Sequence, residues 1–135
     1  MHKAWCITDG SNGMISQAIG LSNAMGLETI KKTVKIRNPW NRLPTGWYPT
    51  PRYAIQNLDE FPLDMCPKYV ISCGKRSVYA SRHIKSCLGK KVTTIHIQDP
   101  RISSLNFDYV VAPFYDRISG PNVITNQYNI NLTIR

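Results

Sequence analysis

Residues 2–26, HKAWCITDGSNGMISQAIGLSNAMG, decide the fold of this chain. A short apolar run, AWCIT, meets a loop of Asp, Gly, Ser and Asn, and an apolar pattern of helical period follows directly. The pattern predicts a buried strand over residues 3–8 and a helix over residues 13–25 that stops at Gly26. This order of strand, glycine-containing loop and helix is typical of the first ligand-binding turn of a parallel α/β domain.

The same alternation returns further along the chain. Residues 28–36 alternate apolar and basic side chains, which predicts a strand near a sheet edge. Residues 38–67 hold six of the nine prolines and predict an irregular stretch with a short helix over 51–58. The remaining predicted elements are strands at 69–73, 91–97, 107–114 and 122–125 and a helix at 76–88. Strands that alternate with helices predict an α/β fold: a Rossmann-like three-layer sandwich with a mostly parallel sheet of about five to seven strands.

Length and charge limit the classes of function. A chain of 135 residues is the size of a single domain, spanning 1–135. The net charge of +9 favours anionic partners, such as nucleotides or lipid headgroups, although a solvated basic face also explains it. No nucleic-acid-binding motif accompanies the charge, which argues against a dedicated DNA or RNA binder. No membrane span or secretory signal is recognisable, so we expect a cytoplasmic protein that is either free or peripheral to a membrane.

The cysteines and histidines do not predict a metal centre. Cys6 and Cys73 lie in apolar runs, where a free thiol behaves as a small hydrophobic group. No CxxC pair occurs, and no Cys/His spacing suits zinc. His96 is expected to be a satisfied histidine in the core or at its rim, whereas His83, on the basic helix, is expected to be exposed.

Polar loops follow four of the predicted strands. Ligands of an open parallel sheet bind outside the carboxyl ends of its strands. The loops there read TDGSNG, CGKRS, QDPR and YDRISGPN. The first two lead into helices, whose amino-terminal N–H groups and dipole favour anions. We therefore predict an anion at the amides of Gly10–Gly13 or Gly74–Ser77.

None of these loops is a specific motif when it is taken alone. Neither GxGxxG nor GxxxxGK[ST] occurs, so both standard phosphate fingerprints are missing from the sequence. Glycines in such loops are more often plain turn residues, and Lys75 and Arg76 by themselves are typical solvated charges. The argument for a ligand site is that all four loops face one edge of a parallel sheet. Asp9, Asp99 and Asp116 are candidates for a catalytic base by position, and the sequence does not choose among them.

Four segments together resemble a known family. WCITDGSNGMISQAIGLSNAMG, YVISCGKRSVYASRHIK, HIQDPR and FDYVVAPFYDRISGPNVI lie in this order between about Ala4 and Thr125. They resemble the N-terminal part of the mitochondrial-fission Elm-type family, also described as predicted nucleoside-diphosphate-sugar epimerases. That family is similar to GT-B glycosyltransferases, in which two Rossmann-like domains face each other across a cleft. The N-terminal domain usually contacts the acceptor, and the C-terminal domain binds the nucleotide sugar.

The resemblance implies a set of ligand-binding residues and no cofactor. They line the loops that face the cleft: Asp9, Gly10, Gly13, Gln17, Ser72, Gly74, Arg76, Ser77, Gln98, Asp99, Pro100, Asp116 and Asn122. Family members are longer, and a donor-binding domain would follow the last residues, NINLTIR. We therefore expect an acceptor-side domain that is inactive alone.

Two other functions stay open at this point. The first is a non-catalytic binding or scaffold module at an anionic membrane surface, with Trp40, Trp47 and Tyr48 as interfacial anchors. The second is an NAD-type oxidoreductase, which is disfavoured because Lys35 and Arg37 stand where an acidic ribose-binding residue would be expected. An open cleft face would also expose apolar surface, so we expect a homo-oligomer.

Overall fold

The computed structural model describes residues 2–37, 54–98, 100, 102–113 and 120–126. Six β-strands lie in these ranges: β1 Lys3–Thr8, β2 Glu28–Thr33, β3 Tyr69–Cys73, β4 Thr93–Ile97, β5 Tyr109–Pro113 and β6 Val123–Asn126. Two α-helices are described, α1 Asn12–Ala24 and α2 Ser77–Leu88. Short 3₁₀ helices span Leu58–Glu60, Leu63–Met65, Gly89–Lys91 and Ser104–Asn106.

The six strands form one parallel sheet in the order β2-β1-β3-β4-β5-β6. Trp5 on β1 lies beside Ile30 of β2 and Val70 of β3, which fixes the register of the centre. The two helices pack on opposite faces, so the fold is a Rossmann-like three-layer sandwich, as predicted. β2 is an edge strand, as its alternating pattern indicates, and lysines on such an edge oppose pairing with another chain.

The core has one layer on each face of the sheet because successive strand side chains point to opposite faces. On the α1 face, Ala4 and Cys6 pack with Ala18 and Ile71. On the α2 face, the side chains packed together are Trp5, Ile7, Val70, Tyr79, Ala80 and Ile84. β1 and β3 are therefore buried on both faces, which explains their continuous apolar runs.

The chain leaves the sheet earlier than the alternating pattern of β2 predicts. Ile36 forms an isolated antiparallel bridge with Ile55 instead of extending β2. The Asn57 side chain links the segment after this bridge to the end of β2. Its Oδ1 accepts from the Lys35 amide at 2.9 Å, and its Nδ2 donates to the Thr33 carbonyl at 2.7 Å. The helix predicted over 51–58 does not reach residue 58. Residues 51–53 lie outside the described residues, as do Trp40, Trp47 and Tyr48.

An apolar groove of about 300 Å³ lies on the α1 face of the sheet. Its walls come from α1 and from the amino-terminal halves of four strands: Leu21, Met25, Tyr69, Thr93, Ile95, Tyr109, Val111 and Ile124. Met25, Tyr109 and Ile124 are 40%, 48% and 53% exposed. None of the described helices is long and apolar enough to cross a membrane.

Candidate ligand site at the carboxyl edge of the sheet

The order of the strands reverses between β1 and β3. From β1 the chain moves outward to β2 on one side and then returns to β3 on the other. In such sheets the crevice at the reversal point is where ligands bind. The loops that flank it are Asp9–Ser11, which leads into α1, and Gly74–Arg76, which leads into α2.

The loop before α1 uses its polar groups internally. The Ser11 Oγ accepts from the Met14 amide at 3.4 Å and caps the helix. The Ser11 amide donates to the Asp9 carboxylate at 3.1 Å, and the Gly10 amide donates to the Thr8 hydroxyl at 3.1 Å. Asp9 thus already brings a negative charge to the positive end of α1, which disfavours a second anion there.

The loop before α2 is arranged differently. No side chain caps α2, and its first turn contains no acidic residue. Lys75 and Arg76 are exposed beside it, and the Ser77 hydroxyl is turned back to donate to the Gly74 carbonyl at 2.7 Å. The amides of Ser77 and Val78 belong to the first turn, which has no carbonyl one turn earlier to accept them. These amides and two cations together favour an anion.

Gly74 brings the two loops close together. It has a φ of +96°, a conformation that side chains rarely adopt. A Cβ at this position would lie 2.5 Å from the Sδ of Met14, in the first turn of α1. Sequence reasoning did not single out Met14 as a neighbour of the second loop, because nothing local indicates a contact across the crevice.

Gln17 and Gln98 meet on the α1 side of the crevice. The Gln98 Nε2 donates to the Gln17 Oε1 at 3.1 Å, and the Cys73 thiol donates to the same oxygen at 3.8 Å. Burial raises the pKa of the Cys73 thiol to about 12, and the charge of Asp9 contributes to this rise. Gln98 has a φ of +79°, and its amide donates to the Val111 carbonyl at 2.8 Å. Cys73 was predicted to be buried, which is confirmed, but its contact with Gln17 was not predicted.

Ser72 and His96 lie on the other face of the sheet and are fully buried. The Ser72 hydroxyl and the His96 Nδ1 are 2.7 Å apart, and the imidazole stacks on Phe107 at 5.0 Å. The buried His96 Nε2 has no partner in the described structure, so this core histidine is half satisfied. Burial lowers the pKa of His96 to about 3. Ser72 therefore does not reach the surface of the crevice. His83 is also buried, and the expectation of an exposed side chain was wrong, because it lies on the inner face of α2.

Asn122 is not brought to this edge. Its Nδ2 donates to the carbonyls of Ser104 at 2.6 Å and Phe107 at 2.9 Å, both of which precede β5. β5 and β6 are parallel, so the chain between them has to return to the amino edge before β6 begins. Pro100 is buried in the loop after β4. The two remaining predicted site residues, Asp99 and Asp116, lie outside the described residues.

The fold and the crevice define a class: a parallel α/β domain with a candidate ligand site where its strand order reverses. The chain belongs to the family described as mitochondrial fission ELM1, which matches residues 12–133. No curated protein and no solved structure matches it. Among the described residues, no group of three or more His, Cys, Asp or Glu could hold a metal ion.

Proposed function

We propose that this chain is the acceptor-side domain of a GT-B-like glycosyltransferase or nucleotide-sugar enzyme. In this proposal a phosphate group of the ligand binds at the start of α2. The observation that carries it is the uncapped first turn of α2 beside Lys75 and Arg76, at the reversal point of the sheet. Family membership supports the proposal, since the family matched over residues 12–133 is similar to GT-B glycosyltransferases in its Rossmann-like architecture.

The proposal assigns binding to this domain and assigns no turnover to it alone. Group transfer between two substrates depends on holding both in one geometry, and that positioning supplies much of the rate. In a GT-B arrangement the donor is held by a second domain. The 135-residue chain should therefore bind a phosphate-bearing ligand and show no nucleotide-sugar turnover.

Titration of the ¹⁵N-labelled chain with inorganic phosphate tests the proposal. Amide signals of Lys75, Arg76, Ser77 and Val78 should shift, and those of Asn12 and Gly13 should shift less. Arg76→Ala should weaken binding by about fivefold to tenfold, the effect of one hydrogen bond from an exposed side chain. Lys90→Ala is the matched control, because Lys90 is exposed at the opposite end of α2 and its loss changes the net charge equally.

Equal weakening by Arg76→Ala and Lys90→Ala would contradict the proposal and indicate surface electrostatics alone. Co-sedimentation with vesicles that contain anionic lipid, unaffected by Arg76→Ala and by added phosphate, would instead favour the membrane-surface module.

Self-association also stays a prediction, because one copy of the chain is described. Light scattering should give a mass near twice 15.3 kDa at micromolar concentration if it is correct.

A further inference from the structure

The side-chain amide of Gln17 is held in one orientation. Its Oε1 accepts from two donors, the Gln98 Nε2 at 3.1 Å and the Cys73 thiol at 3.8 Å. The thiol remains a donor because its pKa, raised by burial, lies far above neutral pH. With the oxygen turned toward both donors, the Nε2 group of Gln17 is left on the other side of the amide with two N–H groups.

The two glutamines leave hydrogen-bonding groups unused. In the part of the chain that the structure describes, no protein group pairs with the Gln17 Nε2 or with the Gln98 Oε1. Both side chains are half-buried, so these atoms are held in place and are not sealed in the core. A fixed donor beside a fixed acceptor matches a hydroxyl group, which both donates and accepts.

The backbone conformation of Gln98 is a second observation that favours a ligand-binding role for this side chain. Its φ of +79° is costly for a residue with a Cβ, and glycine would avoid that cost. The hydrogen bond from its amide to the Val111 carbonyl, at 2.8 Å, holds the backbone there. In this conformation the Gln98 side chain lies within hydrogen-bond distance of Gln17, on the α1 side of the crevice.

The glutamine pair adjoins the proposed phosphate position. Cys73 is followed directly by Gly74, the first residue of the loop that leads into α2. Asp9 directly follows β1, the parallel strand beside β3, so a carboxylate that accepts from hydroxyl groups lies at the same edge of the sheet. A ligand at this edge would therefore meet cations and free amides on one side and neutral or hydroxyl-accepting groups on the other.

We infer that Gln17, Cys73 and Gln98 form a neutral subsite that binds hydroxyl groups of the ligand, with Gln17 and Gln98 in contact and Cys73 positioning Gln17. The ligand class is then a phosphorylated sugar or polyol rather than a phosphate with an apolar body. This inference rests on the proposed function for the phosphate position, and the hydroxyl subsite is tested separately from it.

The test compares glucose 1-phosphate with inorganic phosphate as probes of the wild-type chain. The sugar phosphate should bind about tenfold tighter, which corresponds to one or two net hydrogen bonds. Gln17→Leu and Gln98→Gly should each reduce this advantage to about twofold or less and leave phosphate binding unchanged. Gln56→Leu, at an exposed glutamine in a turn outside the crevice, should keep the full advantage.

In Gln98→Gly, a reduced preference for the sugar phosphate would not be due to unfolding, because removal of a strained side chain should not lower the free energy of unfolding. If phosphate binds and the sugar phosphate binds no tighter, the hydroxyl subsite is wrong and the proposed function stands. Glucose at millimolar concentration probes the subsite without a phosphate. Shifts of the side-chain amide signals of Gln17 and Gln98 would support it even if phosphate failed to bind, and their absence would overturn it.

Discussion

The two helices of this domain begin in opposite ways at the same edge of the sheet. At α1, Ser11 caps the helix and Asp9 supplies a negative charge. At α2, no side chain forms a cap, and the neighbours are Lys75 and Arg76. The comparison shows that the start of α1 already has a side-chain cap and a carboxylate, whereas the start of α2 has no side-chain cap and is flanked by two cations. Similar loops in a sequence therefore need not have similar capacity to bind a ligand.

α2 lacks a side-chain cap at its amino end and is anchored by side chains at its carboxyl end. The Lys85 ammonium donates to the Asp108 carboxylate at 2.8 Å and to the Val92 carbonyl at 2.9 Å. A cation in the last turn also favours the helix dipole. Asp108 in turn accepts from the Thr94 amide at 2.8 Å, so the network joins the end of α2 to the start of β4. α1 is fixed at its amino end, and α2 is fixed at its carboxyl end.

The largest expected effect is a loss of stability in acid, caused by His96, which is buried between the sheet and α2. Burial lowers the pKa of His96 from 6.5 to about 3, so the unfolded chain takes up a proton first as the pH falls. This contribution to stability is complete above pH 6.5 and is lost progressively down to about pH 3. Wild type should lose about 3 kcal/mol more than His96→Gln between pH 6.5 and 4. Urea unfolding across this range measures the difference, and parallel curves for the two proteins would contradict the prediction.

Removal of the anchor at the carboxyl end of α2 should cost about 2 kcal/mol. Burial alone would raise the pKa of Asp108, but hydrogen bonds from Lys85 and Thr94 outweigh it and lower the pKa. The stability due to the carboxylate is therefore present at neutral pH and lost as the pH falls through this lowered pKa. Asp108→Asn should destabilise the protein at pH 7 and approach wild type in acid. Asp59→Asn, at an exposed aspartate, is the control and should change little.

A glycine of the loop before α2 and a glycine in the first turn of α1 should respond with opposite signs. Gly74→Ala should destabilise by about 1.5 kcal/mol, mainly because a φ of +96° is strained for alanine. The side chain of Met14 can shift to relieve part of the contact. Gly13→Ala, in the first turn of α1, meets nothing within 4 Å and should stabilise by about 0.5 kcal/mol. Thermal and urea unfolding of both variants provide the check, and equal effects of the two substitutions would contradict the prediction.

The smallest expected effects distinguish a residue that caps a helix, Ser11, from a residue that is proposed to bind phosphate, Arg76. Ser11→Ala should lower the free energy of unfolding by about 1 kcal/mol, because α1 loses its side-chain cap. Arg76→Ala has no cap to lose and should change stability by less than about 0.5 kcal/mol while it weakens phosphate binding. The comparison fails if Ser11→Ala weakens phosphate binding as much as Arg76→Ala does.

Much of the fold and part of the candidate site could be predicted from the sequence. The apolar runs of β1 and β3 and the stops at Gly26 and Gly89 are local signals, so those elements were predicted to within one or two residues. Asp9, Gly74 and Arg76 were placed at one edge because they follow parallel strands. Asn122 was misplaced by the same rule, since the loop that ends there begins at the carboxyl edge and finishes at the amino edge.

The sequence by itself determined the class of the domain, its family and the positions of its loops, because periodicity, glycines and motifs are properties of neighbouring residues. Tertiary structure alone decided which helix start has a side-chain cap, because that depends on which side chains fold back onto it. It also brought Gln17 and Gln98 into contact, although 81 positions separate them along the chain. His83 gives the same lesson on α2: its basic neighbours predicted exposure, but the packing of the helix on the sheet buries it. Contacts such as the one between Gln17 and Gln98 depend on the strand order, and the distance between two loops cannot be read from local sequence patterns.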